Sequence, residues 1–209
     1  SLRMSFDNNE SGNGVQDLSG NGNNGTNFGS TWNRTGGLNN GTYSNGGAYS
    51  FDGVNDYIVT SSSVGISGNV DRSMFLWIKY EGASENNAGF VGWGSGGANN
   101  FSYLMESTGY ASGWTFWGYS SDCASTDSSQ VINDSDFHYI GAVISGSGTN
   151  VKLYRDGVNI KECTISALNT VDTVVDIGRN SFFTTYFDGT IDEVAIYNRS
   201  LSATEIMNE

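Results

Sequence analysis

The sequence predicts an all-β protein, built as two stacked sheets or a barrel, and three features carry that expectation. Apolar residues fall in short runs separated by turn formers, with almost no helical periodicity. Proline is absent, so 29 glycines and 24 asparagines, with aspartate, must make the turns. Hydrophobic residues at 37% and aromatics at 13% of 209 residues suffice to fill the space between two layers of one domain.

Strands are expected at 2–6, 47–51, 57–60, 74–80, 89–93, 101–106, 114–119, 137–145, 150–154, 158–165, 174–178 and 187–197. The stretch "SMFLWIKY" is apolar on both faces, Phe75 and Trp77 on one and Met74, Leu76 and Ile78 on the other, as in a central strand covered on both sides. "FHYIGAVIS" behaves similarly. In "LYRDGVNI", Asp156-Gly157 between two strand-like runs is a hairpin signal, because both residues tolerate positive φ. "FDGTIDEVAIY" alternates as a strand and puts Asp192 on the same face as Val194 and Ile196. Ser202 and Glu205 have capping-box spacing and predict a short terminal helix. Residues 8–46, rich in glycine and asparagine, are expected to form a long loop that something must hold in place.

Twenty-two acidic residues against nine basic ones give a net charge of −13. That argues against nucleic acid and anionic membrane surfaces as partners. It suits divalent cations and neutral, hydroxyl-rich ligands, or serves solubility alone. The chain contains no 18-residue apolar run, so no membrane-inserted segment is expected. Cys123 and Cys163 form one disulfide or stand as two buried thiols. Possible pairing, together with Asn-x-Ser/Thr sequons at Asn9, Asn24, Asn33, Asn40, Asn100, Asn133 and Asn198, favours an extracellular or cell-surface setting. The opening "SLRMSF" reads as an internal cut from a longer chain with other domains.

Within the long loop, "DLSGNGNNGT" sets oxygen-bearing side chains among glycines, and calcium accepts carboxylate, amide and carbonyl oxygens alike. Asp192 needs a partner, since a lone carboxylate facing a core costs several kcal/mol. A Ca2+ ion shared by Asp17, Asn21, Asn23 and Asp192 would neutralise the acid and pin the loop. The rival is that Asp192 accepts backbone N–H bonds from that loop without metal.

"YSFDGVNDYIVTSSS", "FLWIKY", "FHYIGAVISGSGTNVKLYRDGVNI" and "FDGTIDEVAIYNRSLSATEI", with "DLSGNGNNGT" upstream, resemble the laminin-G-like, concanavalin A-like jelly-roll domains of secreted microbial proteins. The resemblance spans about residues 2–206 and implies a two-sheet antiparallel jelly-roll sandwich over 1–209, with adjacent termini. It also implies a non-catalytic module for glycans or glycosylated surfaces in adhesion, and calcium near Asp17 and Asp192. The alternative is a structural or adhesive module for protein partners, with calcium only rigidifying it. The sequence departs from the family pattern in the aromatic stretch 101–130 and in "RNSFFTTYFDG".

Glucanases of this fold carry paired carboxylates on one strand in a Glu-x-Asp-x-x-Glu pattern, which this sequence lacks, so no enzyme is expected. His138 reads as a packing histidine. Sugar rings present apolar C–H faces, so a ligand site needs exposed aromatics. Phe182, Phe183 and Tyr186 are the first candidates; Trp114, beside Tyr110 and Trp117, is the second set, with core packing as its competing role.

Overall fold

The computed structural model describes residues 1–9, 12–37, 46–82, 86–106, 113–125, 132 and 134–208. Among the described residues, eighteen strands and one helix follow in order: β1 (Leu2–Met4), β2 (Gly14–Val15), β3 (Gly25–Phe28), β4 (Thr31–Asn33), β5 (Ala48–Asp52), β6 (Tyr57–Ser63), β7 (Arg72–Tyr80), β8 (Gly89–Gly94), β9 (Phe101–Glu106), β10 (Trp114–Trp117), β11 (Cys123–Ala124), β12 (Phe137–Ser145), β13 (Asn150–Arg155), β14 (Val158–Thr164), β15 (Val174–Ile177), β16 (Arg179–Asn180), β17 (Thr185–Tyr186), β18 (Asp188–Tyr197) and α1 (Ala203–Met207). The first sheet runs β14-β13-β12-β7-β18-β5-β4, with β1 also on β18. The second runs β11-β10-β9-β8-β15-β6-β3-β2, and β16-β17 form a separate hairpin.

Alternation decides what each strand buries. Met74, Leu76 and Ile78 of β7, Ile140 and Ile144 of β12, and Val194 and Ile196 of β18 meet Phe90, Trp93, Leu104, Trp114 and Phe116 of the second sheet in one core. The outer face of the first sheet carries Phe75, Trp77, Tyr139, Val143 and Tyr154 under Leu201 and Ile206. This explains why β7 is apolar on both faces: it lies between β12 and β18, and the C-terminal segment covers its back. The predicted capping box starts α1, with Ser202 accepting from the Glu205 N–H and Glu205 accepting from the Ser202 N–H. The Asp156-Gly157 turn joins β13 to β14, with both residues at positive φ.

Three elements depart from the expected long loop. β2 and β3 add to the edge of the second sheet, and β4 adds to the first. The chain crosses between sheets in two residues, Gly29 and Ser30. Gly29 has φ +88°, and a Cβ there would collide with the Asp56 carboxylate, so the crossing requires glycine. On the opposite side, the Cys123–Cys163 disulfide ties edge strand β11 of the second sheet to edge strand β14 of the first. Arg72 is fully buried and crosses the interior from β7, donating to the Gly68 and Val70 carbonyls and to Ser102 Oγ of β9. Among the described residues no helix is long and apolar enough to cross a membrane.

Glu106, at the end of β9, contributes a pH dependence. Burial pushes its carboxyl up to about 7, and the neighbouring Tyr80 hydroxyl offsets only part of this. The folded state therefore holds a proton that the unfolded chain, titrating near 4.5, has released. Stability should fall as pH rises from about 4.5 to about 7 and level off above. Glu106→Gln should raise stability at pH 8 by about 2 kcal/mol and change little at pH 4. Urea melts at the two pH values check this, and equal effects at both would contradict it.

Candidate carbohydrate-binding surface

The outer face of the second sheet carries a second apolar cluster: Phe101, Tyr103 and Met105 of β9 and Trp117 of β10. These are the alternate residues to those facing the core. Room for the rings comes from β8, where a Cβ on Gly92 would stand 2.3 Å from the Tyr103 ring. The β16–β17 hairpin folds over this cluster. Asn180 pins it from beneath: its Oδ1 accepts from the Phe182 and Phe183 N–H groups at 3.1 and 3.5 Å, and its Nδ2 lies 3.3 Å from Met105 Sδ. The tip places the Phe182 ring 5.2 Å from Phe101, 5.6 Å from Trp117 and 5.4 Å from Tyr119, while Phe183 lies 5.2 Å from Trp117. Phe182, Phe183 and Tyr119 remain 44%, 39% and 37% exposed. They form a ledge whose underside is packed and whose upper side faces solvent.

The base of the hairpin makes a second tier. Arg179 pairs with Asp176, and its guanidinium carbon sits 3.7 Å over the Tyr57 ring. Phe28 stacks on Tyr57 at 4.7 Å and 12°, and Tyr186 lies 6.4 Å from Tyr57. Asp176 is buried and also accepts from the Tyr103 hydroxyl at 2.9 Å. Burial alone would lower the Arg179 pKa, but the Asp176 charge and hydrogen bonds outweigh it and hold it above its ordinary value. Burial and the same carboxylate push the Tyr103 phenol up.

The candidates named from the sequence divide. Phe182 and Phe183 are exposed and Tyr186 is half-buried, all on the hairpin. Trp114 is a correction: it is 0% exposed and points into the inter-sheet core with Phe116, where no ligand reaches it. The residue that belongs to the outer surface is Trp117, on the opposite face of the same strand. Tyr110 lies outside the described residues. Phe28, Tyr57, Tyr119 and Arg179 were missed. For the three aromatic ones the signal was a ring falling out of phase with the core, as Trp117 does after Trp114 and Phe116, and Arg179 had none.

Asp17 accepts backbone N–H bonds from Arg3, Ser19 and Asn23 at 2.9 to 3.1 Å. Burial works against its charge, but these hydrogen bonds more than offset it and hold the carboxyl below its ordinary value. Asn21 and Asn23 both donate from Nδ2 to the Ser1 carbonyl, and Asn23 Oδ1 accepts from Ser62. The 17–24 turn is thus held by its own hydrogen bonds and by the N-terminal residue.

Asp192 is buried elsewhere, in a notch. Along one side of β18 the neighbour changes from β5, ending at Ile191↔Tyr49, to β1, starting at Val194↔Met4. Glu193, at φ 48°, makes the bulge between them. Asp192 Oδ1 accepts from the Glu193 N–H. The Gly46 and Gly47 carbonyls and Asp192 Oδ2 converge to within 2.6, 2.7 and 2.8 Å of the point a Cβ on Gly37 would occupy. That point lies one bond from Gly37 Cα, and the Gly46 carbonyl accepts from the Gly37 N–H, so the three oxygens enclose the Gly37 backbone and leave no room for an ion at their centre. Among the described residues, no three His, Cys, Asp or Glu side chains gather as a metal site. His138 lies in the first sheet, with Asp156 on Nδ1, Asp134 on Nε2 and Arg155 against the ring.

A family model described as the concanavalin A-like lectin/glucanase superfamily matches residues 51–207. Among solved structures, domain 4 of AbnA, a GH43 extracellular arabinanase from Geobacillus stearothermophilus in complex with arabinotriose, is similar at 20% identity and TM-score 0.74, covering 99% of this chain and 96% of that one. The binding domain of Paraclostridial Mosquitocidal Protein 1 is similar at 17% identity and TM-score 0.70, covering 99% of this chain and 50% of that one. A Trypanosoma rangeli sialidase is similar at 16% identity and TM-score 0.67, with 99% and 31% covered. At these identities the likeness is one of fold. No curated protein matches the sequence.

Proposed function

This chain belongs to the concanavalin A-like lectin/glucanase superfamily, and on that premise we propose that it is a non-catalytic module that recognises carbohydrate on the aromatic hairpin ledge. The observation that carries the reading is the pair Phe182 and Phe183, held solvent-exposed by a buried asparagine on a bed of packed rings. Rigid, exposed aromatics beside backbone and amide polar groups are what a sugar ring's C–H face and hydroxyls require. The arabinotriose-bound domain of like fold and near-equal length supports the ligand class. Among the described residues, Asp176 is committed to Arg179 and Tyr103, and His138 to two aspartates, which supports the non-catalytic reading. The disulfide supports an oxidising, extracellular setting, and adhesion to glycosylated surfaces is the role proposed there. The test is binding of the intact domain to a glycan array, repeated with Phe182→Ala/Phe183→Ala. Signal lost in the variant supports the reading; a silent array, or signal indifferent to the variant, rejects it.

Calcium is proposed as the partner of Asp192, the acid buried under the last strand, rather than of Asp17, whose carboxylate is taken up by three backbone N–H groups. Bound there, the ion would neutralise a buried carboxylate of the last strand. Its role is rigidity, at a distance from the ledge. With calcium at about 100 times its dissociation constant, wild type should gain about 2.7 kcal/mol over the EDTA-treated protein, and Asp192→Asn should gain none. Melting curves with and without calcium decide it, and equal curves for wild type would reject the ion.

A further inference from the structure

The nine lysines and arginines of the chain are distributed unevenly between the two sheets. Arg3, Arg72, Lys79, Lys152, Arg155 and Lys161 stand on strands of the first sheet, Arg34 directly follows β4, and Arg199 lies two residues past the end of β18. The eight strands of the second sheet, which carry the ledge, contain no basic residue at all. Arg179, on the hairpin above them, is the one cation at this surface, and its charge is not offered to a ligand. Asp176 binds it through both Nε and Nη2, and its guanidinium covers one face of Tyr57. Phe28 stacks on the Tyr57 ring as well, so that ring is a strut, and the exposed apolar surface of this tier is Phe28 itself.

Carboxylates, by contrast, stand beside both tiers of the aromatic surface. Asp122 is exposed beside Tyr119 and accepts from the Gly118 N–H. Asp56 packs against Gly29, next to Phe28, and burial together with the Asp52 charge raises its pKa. Asp172 accepts from Ser63 and Gly65 at the end of β6. An exposed carboxylate such as that of Asp122 accepts hydrogen bonds from sugar hydroxyls and repels anions, and the net charge of −13 adds a repulsive field at longer range.

We infer that the ledge takes uncharged, hydroxyl-rich oligosaccharides and rejects sialylated, uronate and sulfated glycans, and that Arg179 is a positioning residue for Tyr57 rather than an anion anchor. This rests on the carbohydrate reading of the ledge. The experiment separates the two claims. The intact domain is placed on an array of neutral glycans printed beside their sialylated, uronate and sulfated counterparts, at about 50 and about 500 mM salt, as wild type, Phe182→Ala/Phe183→Ala and Arg179→Gln. The expected result is binding to neutral members, at least about tenfold weaker signal for acidic counterparts, and a neutral signal unchanged by salt within about twofold. Arg179→Gln should weaken neutral binding while leaving the neutral-over-acidic preference intact. Tighter binding to acidic glycans that falls with salt, is lost in Arg179→Gln and still depends on the phenylalanine pair would overturn this inference and leave the ledge reading standing. Binding to no glycan, or binding indifferent to the phenylalanine pair, would overturn both.

Discussion

Removing the disulfide with Cys123→Ser/Cys163→Ser should cost about 4 kcal/mol, the chain-entropy value for a loop of this size. The cysteines are 40 residues apart in sequence, and the bridge closes a segment containing β12, β13 and most of β14. Its position raises the effect above that of an ordinary cross-link. β11 is two residues long and β14 is an edge strand with five of its seven residues exposed, so neither end of the bridge lies in a part of the sheet that is secure without it. For a domain of about 200 residues, a loss of this size lowers Tm by roughly 10 °C. Wild type melted with reductant should behave as the double variant does. A Tm within about 2 °C of oxidised wild type in both experiments would show that the bridge only decorates two edges that hold without it.

The Phe182→Ala/Phe183→Ala variant should lose glycan affinity by about 100-fold or more. Aromatic anchors at the centre of a contact cost about 2 kcal/mol each on truncation, and 2.8 kcal/mol is already about 100-fold. Stability should move little, because both rings are more than a third exposed and the buried bed of Phe101, Tyr103, Met105 and Trp117 keeps its own contacts. Val158→Ser, on the exposed edge strand β14 of the other sheet, is the matched control and should leave binding unchanged. Parallel loss of binding and of several degrees in Tm would mean that the hairpin had collapsed. In that case Phe183→Tyr, which keeps the ring, should restore both.

The fold was legible because most strands announce themselves by β-branched and aromatic composition, and the capping box and Asp-Gly turn are local signals needing no tertiary context. β2, β3 and β4 were not legible. Their residues, such as "GTNF" and "TWN", have little propensity of their own and become strands because β6 and β5 offer them open edges. The proposed binding surface was half legible. Flanking serine and threonine marked Phe182 and Phe183 as a turn, whereas Trp114 and Trp117 differ only in phase along a strand only four residues long. Asp192 was recognisable as a buried acid, but its surroundings depend on where β18 exchanges β5 for β1, which is a property of sheet order. The buried Arg72 had no sequence signal, since its partners are two carbonyls and a serine on another strand.

The claim that matters most is that the hairpin ledge on the second sheet meets the ligand. Titration of the isotope-labelled domain with a neutral oligosaccharide that binds it, followed by amide chemical shifts, tests this residue by residue. Perturbations should concentrate at Phe28, Trp117 to Tyr119 and Ser181 to Tyr186, with the first sheet and α1 silent. Shifts confined to β13, β14 or the outer face under α1, with Phe182 and Phe183 unmoved, would contradict it.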